Sequence, residues 1–384
     1  MGPLTGIHVV EMAGIGPAPF AAMLLADLGA DVVRLERPEG QLLGNFLDVD
    51  HDLLNRGKRS VAVNLKDPDG VTVAFRLIGG ADVLLEGYRP GVMERLGLGP
   101  DVCLSHNPRL IYGRMTGWGQ TGPLAPRAGH DITYIALTGA LHAIGPAEGA
   151  PSIPINLLGD FAGGSLYLVM GVLAALLERA RSGRGQVVDA SIVDGTASLL
   201  TQLAGFFSAG IWTDERGKNL LDGGAPWYAV YETADGRHVA VGAIEPKFYD
   251  ELVARLGLDA RELPGQWDTH EWPVLREAVA AAFRQKTRDE WAQVFADSDA
   301  CVAPVLTLEE AAAHPHLQAR HVFVERHGAP EPAPAPRFSR TPSTLTRSPC
   351  RLGEHTDEVL RDADLTDEEI ADLRARGVVG TNQG

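Results

Sequence analysis

Cysteine is scarce in this 384-residue chain: Cys103, Cys301 and Cys350 are an odd number, far apart, with no CxxC pair. That spacing supports neither a disulfide framework nor a zinc site, and it fits a reducing, cytoplasmic setting. Basic charge is in deficit as well. Against 50 Asp and Glu stand 34 Lys and Arg, a formal net charge of −16, which argues against general nucleic-acid binding because neutralising phosphates takes a basic face. An anionic ligand would need a local basic patch. Long apolar runs are missing too. The most apolar stretch, Phe161 to Leu177, falls just short of 18 residues and includes Gly163, Gly164, Ser165 and Gly171, so a buried helix is expected and not a membrane span. No basic-then-apolar stretch opens the chain, and its final Thr-Asn-Gln-Gly is no peroxisomal address, so neither targeting route is expected.

What is present is ordinary globular composition, 45% hydrophobic and 22% charged, at a length that suits two or three domains. From Ile7 to about residue 118, strands alternate with helices: Ile7 to Glu11, Phe20 to Gly29, Asp31 to Glu36, then Val61 to Leu65, Val71 to Ile78 and Ala81 to Glu86. Such βαβ units predict an α/β fold with a mainly parallel sheet and ligands at the carboxyl ends of its strands. A further strand, Leu110 to Met115, opens into a Gly/Pro-rich loop, Thr116 to Gly129; a strand near Gln186 to Ile192 and a helix near Thr196 to Ala209 follow. Around residue 220 the character changes. Tyr228 to Glu232 and Arg237 to Val241 flank an Asp-Gly turn, a hairpin signal, and helices near 247–256, 272–283 and 288–295 complete a smaller α+β domain. The expected division is a large domain over 1–195 completed by about 336–384, a linker over 196–220, a small domain over 221–322 and a Pro-rich linker over 323–335. In that last stretch Pro330 to Pro336 reads as stiff and extended, and the acidic helix near Asp367 to Ala375 is expected to return to the large domain.

After the first strand, Gly14-Ile15-Gly16-Pro17-Ala18-Pro19 starts like a dinucleotide fingerprint. Pro17 and Pro19 remove two backbone donors, and Pro19 takes the third glycine's place, so the segment reads instead as a strand-to-helix turn with proline in the first helical turn. Arg34, Arg37, Arg56, Lys58, Arg59 and Arg89 all fall at or just beyond expected strand ends. As a set they suit a pocket for a multiply phosphorylated ligand, and equally a solvated charged surface.

Three ionisable residues invite chemistry. His130, in Arg127-Ala-Gly-His130-Asp131, stands between loop and helix, and Asp160, in Leu158-Gly-Asp160-Phe161, stands at a helix start. Both positions are also natural capping sites. Glu245 follows a strand and precedes Pro246, where a carboxylate suits the helix dipole.

At these residues the chain resembles the class III CoA transferase family, most closely its α-methylacyl-CoA racemase branch. The resemblance runs from Leu4 to about Thr341 on Val10-Glu-Met-Ala-Gly-Ile-Gly-Pro17, Ala26-Asp-Leu-Gly-Ala-Asp-Val-Val-Arg34, Glu86-Gly-Tyr-Arg-Pro-Gly91, Thr116-Gly-Trp-Gly-Gln-Thr-Gly-Pro123, Gly129-His-Asp131, Gly159-Asp-Phe161, Leu221-Asp-Gly-Gly-Ala-Pro226 and Ala243-Ile-Glu-Pro246. Transferases of the family usually carry Tyr at the position of His130, and the Glu245 segment looks like the racemases. One departure is Ala162, where those racemases have glycine; its methyl is expected to narrow the space above the thioester and so to bear on acyl preference.

The resemblance implies a Rossmann-like large domain that binds CoA, a small domain, and two chains interlocked as a homodimer. It further implies an acyl-CoA substrate lined by Ile15, Arg37, Arg59 and Arg89, with His130 and Asp160 from one chain and Glu245 from the other. Neither a metal nor a redox cofactor is implied, and no nucleic-acid or membrane partner. The residue types fit the chemistry: inverting a carbon α to a thioester takes a proton from one face and returns one to the other, so two acid/base groups must flank it. By the resemblance His130 serves the S face and Asp160 the R face, while Glu245 orients His130 and a helix starting at Asp160 offers N–H groups to the enolate. In the alternative, CoA transfer, Asp160 attacks the thioester and forms a mixed anhydride. A third reading is an acyl-CoA-binding protein without turnover.

Overall fold

In a computed structural model that describes residues 2–40 and 47–380, the period-two pattern of the strands decides the layering. The terminal Thr-Asn-Gln-Gly lies outside the described residues. In β1 (His8–Met12), Val9 belongs to one apolar core and Val10 and Met12 to another; in β2 (Asp31–Glu36), Val32 and the pair Val33 and Leu35 divide likewise. Strands buried on both faces require helices on both sides. With β3 (Lys58–Ala62), β4 (Val83–Glu86), β5 (Ile111–Thr116) and β6 (Gln186–Ser191) they form a parallel sheet in the order β3-β2-β1-β4-β5-β6. This is the doubly wound Rossmann order, and the chain reverses direction of build between β1 and β4, opening a crevice beyond their carboxyl ends.

Helix α1 (Pro17–Asp27) lays Ala18, Ala21, Ala22 and Leu25 on one face of the sheet. On the other face, α2 (Pro68–Gly79) contributes Val73 and Ile78. Short helices α3 (Val92–Arg95), α4 (Pro100–His106) and α5 (Asp131–Leu137) follow, then α6 (Ala140–Ala143). The apolar stretch read as one helix is two: a π-turn over Leu157–Ser165 that runs on into α7 (Leu166–Ser182). Together they are long and apolar enough to cross a membrane, but Leu168, Val169, Val172 and Ala175 of α7 pack in the same core as α1. Its exposed side carries Leu166, Met170 and Leu177.

The chain forms two compact units, Met1–Thr138, Ile155–Leu199 and His321–Gly384 in the first, Gly139–Pro154 and Leu200–Arg320 in the second. The 196–220 stretch, expected as a linker holding a helix near Thr196 to Ala209, carries that helix in two pieces: α8 (Ile192–Leu199) and α9 (Thr201–Ser208) meet at Leu200, and the units divide there. In the second unit, β7 (Tyr228–Glu232), β8 (His238–Gly242) and β9 (Val302–Pro304) form an antiparallel sheet. Its hairpin turn takes Gly236 to a φ of 71°, as an Asp-Gly turn requires. Around it, α10 (Pro246–Leu256), α11 (Trp272–Phe283) and α12 (Arg288–Phe295) bury Trp227, Phe283 and Trp291, and α13 (Leu308–Ala313) and α14 (Pro315–Ala319) complete the unit.

The Pro-rich stretch is not simply an extended linker. β10 (Phe323–Arg326) pairs with β11 (Ala329–Pro332), and Glu331 is buried between Arg56 and Arg326, at 3.7 and 3.8 Å. Proline is tolerated there because the hairpin has only two strands and so only edges. Helices α15 (Thr356–Asp362) and α16 (Asp367–Ala375) do return to the first unit, where Val359, Leu360, Ile370 and Leu373 join the core of Val10 and Leu35. β3 corrects a second expectation: it begins at Lys58, three residues before the apolar run at Val61. Both of its cations are neutralised inside the fold, Lys58 by Glu11 at 2.7 Å and Arg59 by Asp31, Glu358 and Asp362 at 2.5 to 3.0 Å.

Candidate active site

A cavity of about 310 Å³ opens where the sheet topology puts it, in the first unit beyond the carboxyl ends of β1, β4 and β5. Ile15 and Gly16 reach it from the β1–α1 loop, Tyr88 and Arg89 from the loop after β4, and Trp118 from the loop after β5. Gly16 begins α1 with φ 70° and ψ −116°, and a Cβ there would stand 3.2 Å from Oδ2 of Asp160. Tyr134 of α5 forms part of the wall, edge-on to Trp118 at 4.7 Å between ring centres. Its ring occupies the space that side chains at Gly117 and Gly129 would need, 1.9 and 2.5 Å from their would-be Cβ atoms.

His130 ends the long loop as the residue before α5. The Thr133 hydroxyl accepts its N–H at 3.1 Å and donates to its carbonyl at 2.7 Å, which fixes the backbone and leaves the residue exposed at the cavity. Asp160 enters the same cavity from the π-turn. Its N–H donates to Oδ1 of Asp131 at 2.7 Å, and its carbonyl lies 2.9 Å from the Ser165 hydroxyl, itself 2.7 Å from the carbonyl of Pro17. Phe161 stacks on Phe20 at 4.3 Å. Burial pushes the Asp160 carboxyl above the usual range; a hydrogen bond from Asn156 opposes the rise, the charge of Asp131 adds to it and that of His130 opposes it. Two ionisable groups of different chemistry thus share one cavity, and burial makes the carboxyl of one hold its proton more tightly than an exposed carboxylate would.

The idea that a helix starting at Asp160 presents free N–H groups does not survive. Asp160 is the fourth residue of its turn, its N–H is taken by Asp131, and the Phe161 N–H is taken by the carbonyl of Asn156 at 3.3 Å. The start of α5 at Asp131 is where a helix leaves its first amides without intrahelical partners.

Of the cavity residues expected from sequence, Ile15 and Arg89 line it. Arg37 is exposed just past β2 and acts electrostatically on the half-buried Tyr88, beside Arg89. Arg59 is a correction. It sits at the amino end of β3, opposite Val33 near the start of β2, on the far side of the sheet from the strand ends that carry the cavity. Arg34, Arg56 and Lys58 are likewise committed to buried ion pairs with Glu36, Asp27 and Glu11. Among the described residues, Arg37 and Arg89 make no ion pair, and neither does Arg127, which lines the cavity three residues before His130 and was overlooked in sequence. Ala162 is half-buried and is not among the lining residues, so its methyl does not narrow this cavity. Glu245 lies in the second unit, exposed at the start of α10, its carbonyl accepting from the Phe248 and Tyr249 N–H groups at 3.0 Å.

The comparisons with known proteins agree with this architecture. The chain is 49% identical to alpha-methylacyl-CoA racemase of Mus musculus and 47% identical to that of Homo sapiens, each over 99% of this chain and 98% of the relative. Among solved structures, a CAIB/BAIF family protein from Brucella suis superposes with a TM-score of 0.83 at 27% identity, covering 94% of this chain and 100% of that one. The family model for CoA-transferase family III matches residues 4–356, and the chain belongs to that family.

Proposed function

We propose that this chain is an isomerase, an α-methylacyl-CoA racemase that interconverts the (R) and (S) epimers of 2-methylacyl-CoA thioesters. The observation that carries the reading is that His130 and Asp160 face one cavity at the switch point of a chain nearly half identical, end to end, to two racemases. On the S epimer, neutral His130 takes the α-proton, the electron pair passes to the thioester oxygen, and protonated Asp160 delivers a proton to the opposite face. On the R epimer the roles exchange. A carboxyl raised by burial suits a group that must be found in either form. The first-turn amides of α5, which follow His130 in the chain, would serve the enolate oxygen.

The free cations Arg37, Arg89 and Arg127 would take the phosphates of CoA, which the net charge of −16 would otherwise repel. The apolar stripe of α7, Leu166, Met170 and Leu177, favours a homodimer, since a second copy would cover it. In that dimer the partner would bring its Glu245 to His130. Three free cysteines accord with a cytoplasmic enzyme of lipid metabolism. No metal or redox cofactor enters this chemistry. The transferase reading makes Asp160 the nucleophile of a mixed anhydride and gives His130 no necessary role. Incubation with 2-methylacyl-CoA in deuterated water decides between them: α-deuterium is expected, and acyl transfer to an added carboxylate without deuterium would overturn the racemase.

A further inference from the structure

We propose that Asp131 is a positioning residue for Asp160, setting the separation between the two proton-transfer groups. The inference rests on the racemase reading. Asp131 is fixed by the chain beside His130, and its Oδ1 accepts the Asp160 N–H at 2.7 Å, so one carboxylate ties α5 to the π-turn across 29 residues of sequence. It is 7% exposed, and its Oδ2 is buried without a hydrogen-bond partner. A carboxylate kept only to favour the start of α5 would do so at lower cost in water. The turn is shaped around it as well. A Cβ at Gly159 would stand 2.3 Å from Oδ1, so only glycine lets the carboxylate approach the next residue's amide.

Its charge also reaches Asp160. The groups that face Asp160 are Asn156 just before its turn, His130 just before α5, Asp131 and Tyr134 on α5, and the uncharged Gly16 before α1. Of these, Asp131 is the other carboxylate, and it holds the Asp160 proton more tightly.

The experiment measures racemisation and α-proton exchange against pH for Asp131→Ala, Asp131→Asn and Asp160→Asn. Asp131→Ala should lower kcat in both directions by about 10- to 100-fold with KM within about twofold, since loosening a reacting group by up to an ångström costs on that order. Asp131→Asn keeps an acceptor for the Asp160 N–H and should recover most of kcat. Its acid limb for exchange from the R epimer, where Asp160 must be ionised, should move to lower pH. Wild-type kcat in Asp131→Ala, or an unmoved limb in Asp131→Asn, overturns the proposal; if the alanine variant does not fold, the limb of the asparagine variant decides. Asp160→Asn separates the two levels: if it racemises normally the reading of the site fails, whereas an inactive Asp160→Asn beside unaffected Asp131 variants removes this inference alone.

Discussion

Gly16→Ala should weaken the protein and slow it through one added methyl group. The backbone at Gly16, φ 70° and ψ −116°, lies where side chains are rarely tolerated, and holding alanine there costs roughly 1–3 kcal/mol. At about 2–4 °C per kcal/mol for a unit of this size, the melting midpoint should fall by about 2–12 °C. The methyl would also sit 3.2 Å from Oδ2 of Asp160, about 0.2 Å inside ordinary contact. If a displacement of 1 Å at a reacting group costs about 100-fold, 0.2 Å costs about two- to threefold in kcat. Steady-state racemisation of 2-methylacyl-CoA with a melting curve on the same preparation reads both. Gly16→Val, with two further carbons aimed at the carboxylate, should lose at least tenfold. An unchanged melting midpoint would refute the backbone argument, and full activity in Gly16→Val would show that Asp160 is not held against this loop.

His130→Ala should abolish α-proton wash-out from the S epimer and leave some from the R epimer, Asp160→Ala should show the mirror pattern, and racemisation should drop by about 10²- to 10⁴-fold in both. Equal exchange from both epimers in each variant would refute the two-base assignment. Arg37→Ala, Arg89→Ala and Arg127→Ala should raise KM for acyl-CoA and weaken its rise with salt, while Arg59→Ala should leave KM alone and lower the melting midpoint, because it strands Asp31, Glu358 and Asp362; unchanged KM in Arg37→Ala, Arg89→Ala and Arg127→Ala alike would remove the phosphate assignment. Co-expressed His130→Ala and Glu245→Ala chains should regain activity as heterodimers, and clean heterodimers no better than either parent would exclude a shared site.

The βαβ alternation was legible because Val9 and Val10, or Val32 and Val33, are apolar on both faces, and a doubly buried strand cannot hide that. The start of β3 was not, because its first two residues are Lys58 and Arg59, whose neutralising partners include acids some 300 residues away. The same long-range pairing made Arg59 look like a free cation. In β11 the prolines masked Glu331, whose burial depends on Arg56. His130 and Asp160 stood out as ionisable residues at loop-to-helix junctions and were singled out by their motifs. Asp131 did not, since its significance lies in a hydrogen bond to a backbone amide, and backbone amides leave no mark on sequence.

The π-turn bears on how such a site can change over time. Its widened spacing, seen where the Phe161 N–H reaches back five residues to Asn156, is what one surplus residue does to an α-helix. Losing that residue would restore the regular coil and swing everything on one side of the deletion by about 100°. The Asp160 carboxylate would leave the cavity. The stacking of Phe161 on Phe20 and the Ser165 hydroxyl's contact with Pro17 would be lost with it, so the same contacts that aim Asp160 also hold the surplus residue in place.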